Sequence, residues 1–310
     1  MPDVSIVEVL LSPWLLALLG LVIGSFVNVI VHRMPMILER QWWGEVAGQL
    51  GDRDSYRRVF GAESPDRHHE DGASMAQRLE ALPALGLAWP GSRCPSCGHV
   101  LRWYENVPVL SYLTLRGRCS ACSQPIGWRY LAVEALTAVL FVAIGLRHGA
   151  TLSTVLWCAA AAVLLALALI DWDTTVLPDA LTQPLLWAGL LAAGLGWLPG
   201  LTVWEAVVGA TVGYLSLWTI YWLFKLVTGK EGMGYGDFKL LGALGAWLGW
   251  QALLPVVLVA SALGAVVGLV MKASGGLREG RYVPFGPFLA GGGLGVMLLG
   301  PGRVLGWMGW

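Results

Sequence analysis

Residues 152–170, LSTVLWCAAAAVLLALALI, form an apolar run that contains no charged side chain. A helix needs about 20 apolar residues to cross the hydrocarbon core of a bilayer, so this run predicts a membrane-spanning helix. The acidic segment DWD, residues 171–173, follows it directly. The stretch therefore indicates a membrane fold and an ionisable site at the edge of the membrane.

The composition of the whole chain agrees with a membrane protein. Of its 310 residues, 56% are hydrophobic and only 13% are charged, whereas soluble proteins carry about 25% charged residues. The 17 tryptophans are typical of a protein with many membrane–water boundaries. These values exclude an ordinary water-soluble enzyme and a disordered chain. Because 20 basic and 20 acidic residues cancel, no net charge attracts nucleic acid, and no nucleic-acid partner is expected.

The apolar runs predict about eight transmembrane helices. All are expected to be helical, because backbone polar groups in lipid must hydrogen-bond within their own segment. As a single helix, the stretch from Leu240 to Lys272 would be about 50 Å long, so we divide it by a turn near Gly249–Pro255. The predicted spans are residues 12–31, 130–147, 152–170, 183–199, 204–224, 238–250, 253–271 and 287–305.

The basic residues lie almost entirely on one side of the predicted membrane. Residues 32–129 hold 12 of the 20 basic side chains. With eight spans, the same side also receives Lys225, Lys230, Lys239, Lys272, Arg278 and Arg281. Only Arg147 and Arg303 fall on the other side. Since basic loops stay in the cytoplasm, the insert is predicted to be cytoplasmic and both termini to lie outside the cytoplasm.

Four cysteines have the spacing of a metal site. Cys94 and Cys97 form one C-x2-C pair, and Cys119 and Cys122 form a second. Two such pairs close a tetrahedral zinc site with no open position, which predicts a structural zinc ion. The alternative is two disulfides, which the reducing cytoplasm disfavours. Cys158 lies within an apolar span and is expected to be a buried small hydrophobic residue.

The insert divides the chain into three predicted parts. These are a first transmembrane helix at 1–35, a cytoplasmic zinc-binding insert at 36–128, and a second transmembrane domain at 129–310. The polar segment 47–89 lacks apolar periodicity and is interpreted as a partly flexible loop. Its adjacent histidines, His68 and His69, are expected to lie on the surface without a metal.

Few acidic residues lie in or beside the spans, and ionisable groups at membrane depth suggest function. Asp171 ends the third span, and Asp237 begins the sixth. Two carboxylates with restricted access to water share a proton, which provides a base to activate water and an acid to polarise a carbonyl. Asp173, two residues from Asp171, is an alternative first member of this pair or a solvated residue, and Asp179 is a candidate helix cap.

Other charged residues near the predicted pair have several interpretations. Arg129 is expected to pair with Glu134, which lies inside the second span. Lys239 is a candidate to screen the carboxylates, to bind a substrate carboxylate, or to extend its side chain to the interface.

The motifs together resemble the type 4 prepilin peptidases, membrane aspartic proteases with a GxGD motif. The resemblance covers nearly the whole chain and includes both cysteine pairs. The further matching segments are GSFVNV at 24–29, HRMP at 32–35, ENVPVLSY at 105–112, the run from Ile170 to Thr182, and GMGYGDFK at 232–239. Members of this family lie in the bacterial inner membrane with the active site facing the cytoplasm.

The resemblance implies a bifunctional enzyme of type IV pilus and type II secretion systems. Such an enzyme removes the basic leader from prepilins and pseudopilins and then methylates the new N-terminal amine with S-adenosylmethionine. The family's catalytic aspartates map onto Asp171 and Asp237. Glu231 and Asp179 are candidate partners for basic leader residues. The alternatives are a presenilin-like intramembrane protease, a carboxylate-dependent transporter and a zinc-dependent scaffold without activity.

Overall fold

The computed structural model describes residues 6–275, 283–307 and 309. In this part of the chain the regular structure is helical, apart from the isolated β-bridges Arg93–Val100 and Arg118–Pro125. The helices are α1 Ile6–Leu10, α2 Pro13–Gly51, α3 Arg53–Phe60, α4 Asp66–Glu80, α5 Leu110–Thr114, α6 Trp128–His148, α7 Leu152–Thr174, α8 Asp179–Gly194, α9 Val203–Thr228, α10 Tyr235–Leu248, α11 Leu253–Ala273, α12 Gly286–Leu299 and α13 Pro301–Trp307. Short 3-10 turns are formed by Trp103–Asn106 and Trp250–Ala252.

The protein is an all-α polytopic membrane protein, as predicted. A helix lies at each of the eight predicted spans. Five helical segments of the described residues are long and apolar enough to cross a membrane, namely Pro13–Gly51, Trp128–His148, Leu152–Thr174, Val203–Thr228 and Trp250–Ala273. The helices α8, α10 and α12 are shorter than these five, so the number of complete crossings stays a prediction. Arg278 and Arg281, used above for the orientation, lie outside the described residues.

Two glycines interrupt apolar runs. The predicted turn near Gly249–Pro255 is confirmed, because Gly249 has a φ of +80° and separates α10 from the 3-10 turn that leads into α11. The predicted span 287–305 is wrong as a single helix. At Gly300 the φ is +92°, a conformation that a residue with a Cβ rarely adopts, and Pro301 begins the new helix α13.

The chain separates into two compact units. The membrane unit comprises residues 1–28, 108–117 and 126–310, and the cysteine unit comprises residues 29–107 and 118–125. The cysteine unit thus contains both cysteine pairs, while both aspartates of the predicted pair belong to the membrane unit.

Helix α10 is the core of the membrane unit. Its residues Phe238, Leu240 and Leu241 are completely buried, and it packs against α9, α8 and α12. A helix covered by apolar residues on all sides is expected in the centre of a membrane bundle. Since Asp237 lies in the first turn of α10, the most buried helix of the unit carries one of the two predicted catalytic residues.

The contact between α9 and α10 depends on glycine. A Cβ at Gly209 would lie 2.3 Å from the carbonyl oxygen of Gly245, and a Cβ at Gly245 would lie 2.1 Å from that of Gly209. Small residues permit such backbone contact between membrane helices. On the α8 side, Gly189 leaves room for the indole of Trp247, whose Nε1 donates a hydrogen bond of 2.7 Å to the carbonyl oxygen of Leu185.

The segment 47–89 is not the partly flexible loop that we predicted. It contains the end of α2 and the helices α3 and α4. The carboxylate of Asp52 accepts hydrogen bonds from the backbone N–H groups of Asp54 and Ser55 at the start of α3, and Gly61 ends this helix in the left-handed conformation. These are standard capping interactions, so α3 is specified by its ends rather than by an apolar periodicity.

We expect Gly245→Ala to destabilise the membrane unit by about 1–3 kcal/mol, because the added methyl group forces α9 and α10 apart. Thermal unfolding of the purified protein in detergent measures this loss. Gly291→Ala is the matched control, since a Cβ at this position of α12 meets no atom within 4 Å. Equal unfolding temperatures of the two variants would contradict the proposed backbone contact.

Candidate functional site

The two cysteine pairs form two turns of the same design in the cysteine unit. In the first, the N–H of Cys94 donates to the carbonyl oxygen of His99 at 2.9 Å, and in the second, that of Cys119 donates to Gln124 at 2.9 Å. The residue after each second cysteine, Gly98 or Ser123, has a left-handed φ of 72° or 58°. Each turn therefore brings its two thiols to the same side of the backbone.

The four sulfur atoms have the separation that a metal ion requires. All lie within 4.8 Å of one another, and the Cys94–Cys122 and Cys97–Cys119 distances are 3.8 and 3.9 Å. A tetrahedral zinc site with Zn–S bonds of about 2.3 Å has sulfur atoms about 3.8 Å apart, whereas disulfide bonds are about 2.0 Å long. All four cysteines are free thiols, so this geometry fits a metal site and not a pair of disulfides.

Hydrogen bonds from the backbone favour the thiolate form of Cys94. The N–H groups of Cys97 and Ser96 lower the pKa of Cys94 from its ordinary value to about 6. Metal ions bind cysteine as thiolate, so the first turn is prepared for a cation before one binds.

Glu105 connects the two cysteine turns. Its side chain is buried, and Oε2 accepts a hydrogen bond of 2.8 Å from the N–H of Arg102 and lies 3.1 Å from Nε2 of His99. A hydrogen bond from the Ser120 hydroxyl, together with that from Arg102, lowers the pKa of Glu105 to about 2. Because His99 follows the first turn and Ser120 lies within the second, an ionised Glu105 joins both.

The two predicted catalytic aspartates come together in the membrane unit. Asp171 lies in the last turns of α7 and Asp237 in the first turn of α10, and only 5% and 7% of their surfaces are exposed. The carboxylates are close enough to interact electrostatically. Each also hydrogen-bonds with a backbone amide at the N-terminus of a helix, Asp171 with Gly286 of α12 and Asp237 with Gly234 before α10. A helix N-terminus stabilises negative charge.

Leu177, in the segment that follows α7, contacts both the GxGD segment and the start of α12. A Cβ at Gly236 would lie 2.7 Å from Cβ of Leu177, and a Cβ at Gly286 would lie 2.5 Å from Oδ2 of Asp171 and 3.1 Å from Cδ1 of Leu177. Glycine at 236 thus permits the contact between the GxGD segment and the segment that follows α7. Glycine at 286 permits the close approach of α12 to the Asp171 carboxylate.

The neighbouring acidic residues are bound to basic residues of the chain. Asp173 pairs with Arg129 at 2.8 Å, so the predicted pairing of Arg129 with Glu134 is wrong. Glu134 instead accepts a hydrogen bond of 2.8 Å from the N–H of Val109. Val109 has a φ of 61°, which is unusual for a β-branched side chain, and the hydrogen bond to Glu134 satisfies its N–H group.

The two acids suggested as partners for basic leader residues also have partners within the chain. Asp179 begins α8 and pairs with Lys239 at 2.7 Å, while Glu231 pairs with Lys225 at 2.8 Å. Asp179 is not a side-chain cap, because Pro178 occupies that position.

Three residues of the site were given no role from the sequence, namely Gly286, Leu177 and Glu105. Glu105 and Leu177 lie in segments that match the family, whereas Gly286 approaches Asp171 from a distant part of the chain. The only local signal for Gly286 was the FGPF segment at 285–288, in which glycine and proline begin α12. Cys158 is buried as predicted. Among the described residues, neither His68 nor His69 belongs to the four-cysteine cluster, and Nδ1 of His69 lies 2.9 Å from the carbonyl oxygen of Gly51.

Fold and site define a helical, multi-pass membrane protein with a four-cysteine cluster and a pair of buried aspartates. Two family models match the chain. Residues 18–148 match the bacterial peptidase A24 N-terminal domain, and residues 158–269 match the type IV leader peptidase family. The chain belongs to the type IV leader peptidase family, and the resemblance noted in the sequence is confirmed.

Similar proteins of known name cover most of the chain. A prepilin leader peptidase/N-methyltransferase of Pseudomonas putida is 48% identical over 277 residues, which are 89% of this chain and 86% of the relative. Proteins with the same name from Burkholderia pseudomallei strain K96243 and Aeromonas hydrophila are 49% and 46% identical over 91% and 90% of this chain, and over 84% and 89% of their own lengths. No solved structure matches the chain.

We expect Glu105→Gln to lower the unfolding temperature of the protein at pH 7. The pKa of Glu105 is lower in the folded protein, about 2 instead of 4.5, so its ionisation stabilises the fold above about pH 4.5. This contribution is lost as the pH falls towards 2. The difference from the wild type should therefore be largest near pH 7 and shrink below pH 4.5.

Thermal unfolding of the full chain in detergent at a series of pH values measures the effect. Glu63→Gln is the control, since Glu63 forms an exposed ion pair with Arg57 and such pairs contribute little to stability. A difference that is independent of pH would show that the charge of Glu105 does not connect the cysteine turns.

Proposed function

We propose that this protein is a bifunctional prepilin-processing enzyme. It removes the basic leader from type IV prepilins and from the pseudopilins of type II secretion, and it methylates the new N-terminal amine. The names of the relatives and the match over most of their length support this function. The observation that carries the peptidase activity is the pair of buried aspartates, Asp171 and Asp237, each of which hydrogen-bonds with a backbone amide at a helix N-terminus.

Asp171 and Asp237 act together as general base and general acid. Two neighbouring carboxylates away from bulk water hold a single proton between them. The ionised aspartate takes a proton from water, whose oxygen attacks the scissile carbonyl carbon. The protonated aspartate donates a hydrogen bond to the carbonyl oxygen, and a proton then passes to the leaving amine. No covalent intermediate with the enzyme is needed.

The electrostatic environment fits this division of roles. The backbone amides of Gly286 and Gly234 interact with the carboxylates and therefore stabilise whichever aspartate is ionised. Asp173 is not assigned as the base, because it forms an ion pair with Arg129 at 2.8 Å. We therefore propose Asp171, and not Asp173, as the partner of Asp237 in the catalytic pair.

The cysteine cluster is proposed to hold a structural zinc ion. Four thiolates, from Cys94, Cys97, Cys119 and Cys122, would fill the coordination sphere and leave no position for substrate. The ion would supply cross-links between the two turns, and Glu105 would support the same connection. S-adenosylmethionine is the proposed methyl donor. The sequence has no Gly-rich dinucleotide motif of the Rossmann type, so a different kind of site for the donor is expected.

The protein is proposed to lie in the bacterial inner membrane with the aspartates near the cytoplasmic face. The basic residues of segment 32–129 and of the joints after α9 and α11 support this orientation. We retain the proposed division into a first transmembrane helix at 1–35, a zinc-binding insert at 36–128 and a protease domain at 129–310. The substrates are membrane proteins themselves, so the bilayer is a partner of both enzyme and substrate.

We expect Asp171→Asn and Asp237→Asn each to lower leader cleavage at least about 100-fold, because general acid–base catalysis typically contributes this much or more. Cleavage of a synthetic prepilin by the purified variants in detergent gives the rates. Asp173→Asn is the control, since it removes a carboxylate two residues away, and it should retain most activity. Near-normal cleavage by either of the first two variants would refute the mechanism.

Methylation requires a separate measurement. A mature pilin peptide without its leader, incubated with S-adenosylmethionine and the wild-type enzyme, should gain the mass of one methyl group on its N-terminal amine. Asp237→Asn should methylate this peptide normally, because no peptide bond is cut. A product without added mass would limit the enzyme to leader removal.

A further inference from the structure

The segment that carries Asp237 has little conformational restraint of its own. Residues 232–237 are GMGYGD, and each of the three glycines allows a wider range of backbone conformations than other residues. Gly234 is the N-cap of α10, without a side chain to cap it. An active-site carboxylate must nevertheless be held accurately, because misplacement by about 1 Å can cost 100-fold in rate.

Side chains from the end of α9 provide the missing restraint. Nζ of Lys225 donates to Oε1 of Glu231 at 2.8 Å and to the hydroxyl of Tyr221 at 3.2 Å. The Tyr221 hydroxyl lies 3.4 Å from that of Tyr235, two residues before Asp237. The polar chain thus begins on α9, reaches the joint at Glu231, and reaches α10 at Tyr235.

Aromatic contacts reinforce the same connection. The ring of Tyr221, only 2% exposed, lies 5.2 Å from that of Tyr235 and 5.6 Å from that of Phe238. Phe238 follows Asp237 directly and is completely buried. Gly232 lies against the ring of Phe224, which would be 2.8 Å from a Cβ at this position. The residues on both sides of Asp237 are therefore packed against one turn of α9.

We propose that Tyr221 and Lys225 are positioning residues that fix the glycine-rich segment before α10 and thereby the carboxylate of Asp237. The proposal rests on the proposed function of Asp237 in leader cleavage. Lys225 is the basic residue that links Glu231 to Tyr221. A membrane helix that ends on a lysine needs no such partners, since a lysine side chain normally extends to the interface. Here it turns back to Glu231 and Tyr221, with two-thirds of its side chain covered.

The proposal predicts a loss in kcat rather than in KM. Lys225→Met and Tyr221→Phe should each lower kcat for a synthetic prepilin about 10-fold or more, because Asp237 is less accurately held. KM should stay within about twofold, since neither side chain is proposed to bind substrate. Lys225→Arg should keep most of the activity, because arginine retains the charge and the donors.

The experiment uses the purified full-length protein in detergent with a synthetic prepilin. Lys230→Met is the matched control, because Lys230 lies in the same joint and its side chain forms no hydrogen bond or ion pair with the described residues. Methylation of a peptide without its leader is measured for every variant, and it should be unchanged.

The outcomes separate this proposal from the proposed function. A selective fall in kcat for Lys225→Met and Tyr221→Phe, with methylation retained and activity restored in Lys225→Arg, supports the positioning role. A kcat equal to that of Lys230→Met would overturn it. An equal loss of cleavage and methylation would also overturn it, since the residues would then support only the general fold. Normal cleavage by Asp237→Asn would instead refute the catalytic proposal itself.

Discussion

The burial of two carboxylates among apolar helices is the constraint to which the rest of the membrane unit is fitted. A charged group removed from water requires hydrogen bonds or an opposite charge. No basic side chain pairs with Asp171 or Asp237 among the described residues, so backbone amides take this role. Asp171 uses the N-terminus of α12 and Asp237 that of its own helix. Both helices must therefore begin beside the carboxylates, with Gly286 in the first turn of α12 and Gly234 directly before α10.

The glycines and ion pairs around the site follow from the same requirement. The α9–α10 backbone contact at Gly209 and Gly245 fixes the helix that carries Asp237. Ion pairs with Arg129 and Lys239 neutralise two other acidic residues nearby, Asp173 and Asp179. Without these basic partners, further negative charges would make ionisation of the proposed catalytic pair, Asp171 and Asp237, less favourable. Asp173 and Asp179 thus have basic partners, whereas Asp171 and Asp237 have none among the described residues.

The sequence predicted the helices of the membrane unit and the clustering of the four cysteines, because both have local patterns. Apolar runs long enough for a membrane determine a helix regardless of its neighbours, and the spacing of Cys94, Cys97, Cys119 and Cys122 brings the thiols together through the turns themselves. Helix α3 was missed because its caps, Asp52 and Gly61, are single residues in a polar segment. Helix α4 was missed because it is polar and has no side-chain cap. The partners of Arg129 and Glu134, which are Asp173 and Val109, were missed because they lie in other segments of the chain. A periodic pattern within one helix does not predict contacts between segments.

Leu177 couples two positions that are far apart in the sequence. Its side chain touches both Gly236 and Gly286, so a larger residue at either glycine would collide with it, and at 286 also with Asp171. Over evolutionary time these three positions form one steric unit. A relative with alanine in place of either glycine is expected to carry a smaller residue at 177. Such correlated substitutions would show, from sequences alone, that the segments carrying these three residues are in contact.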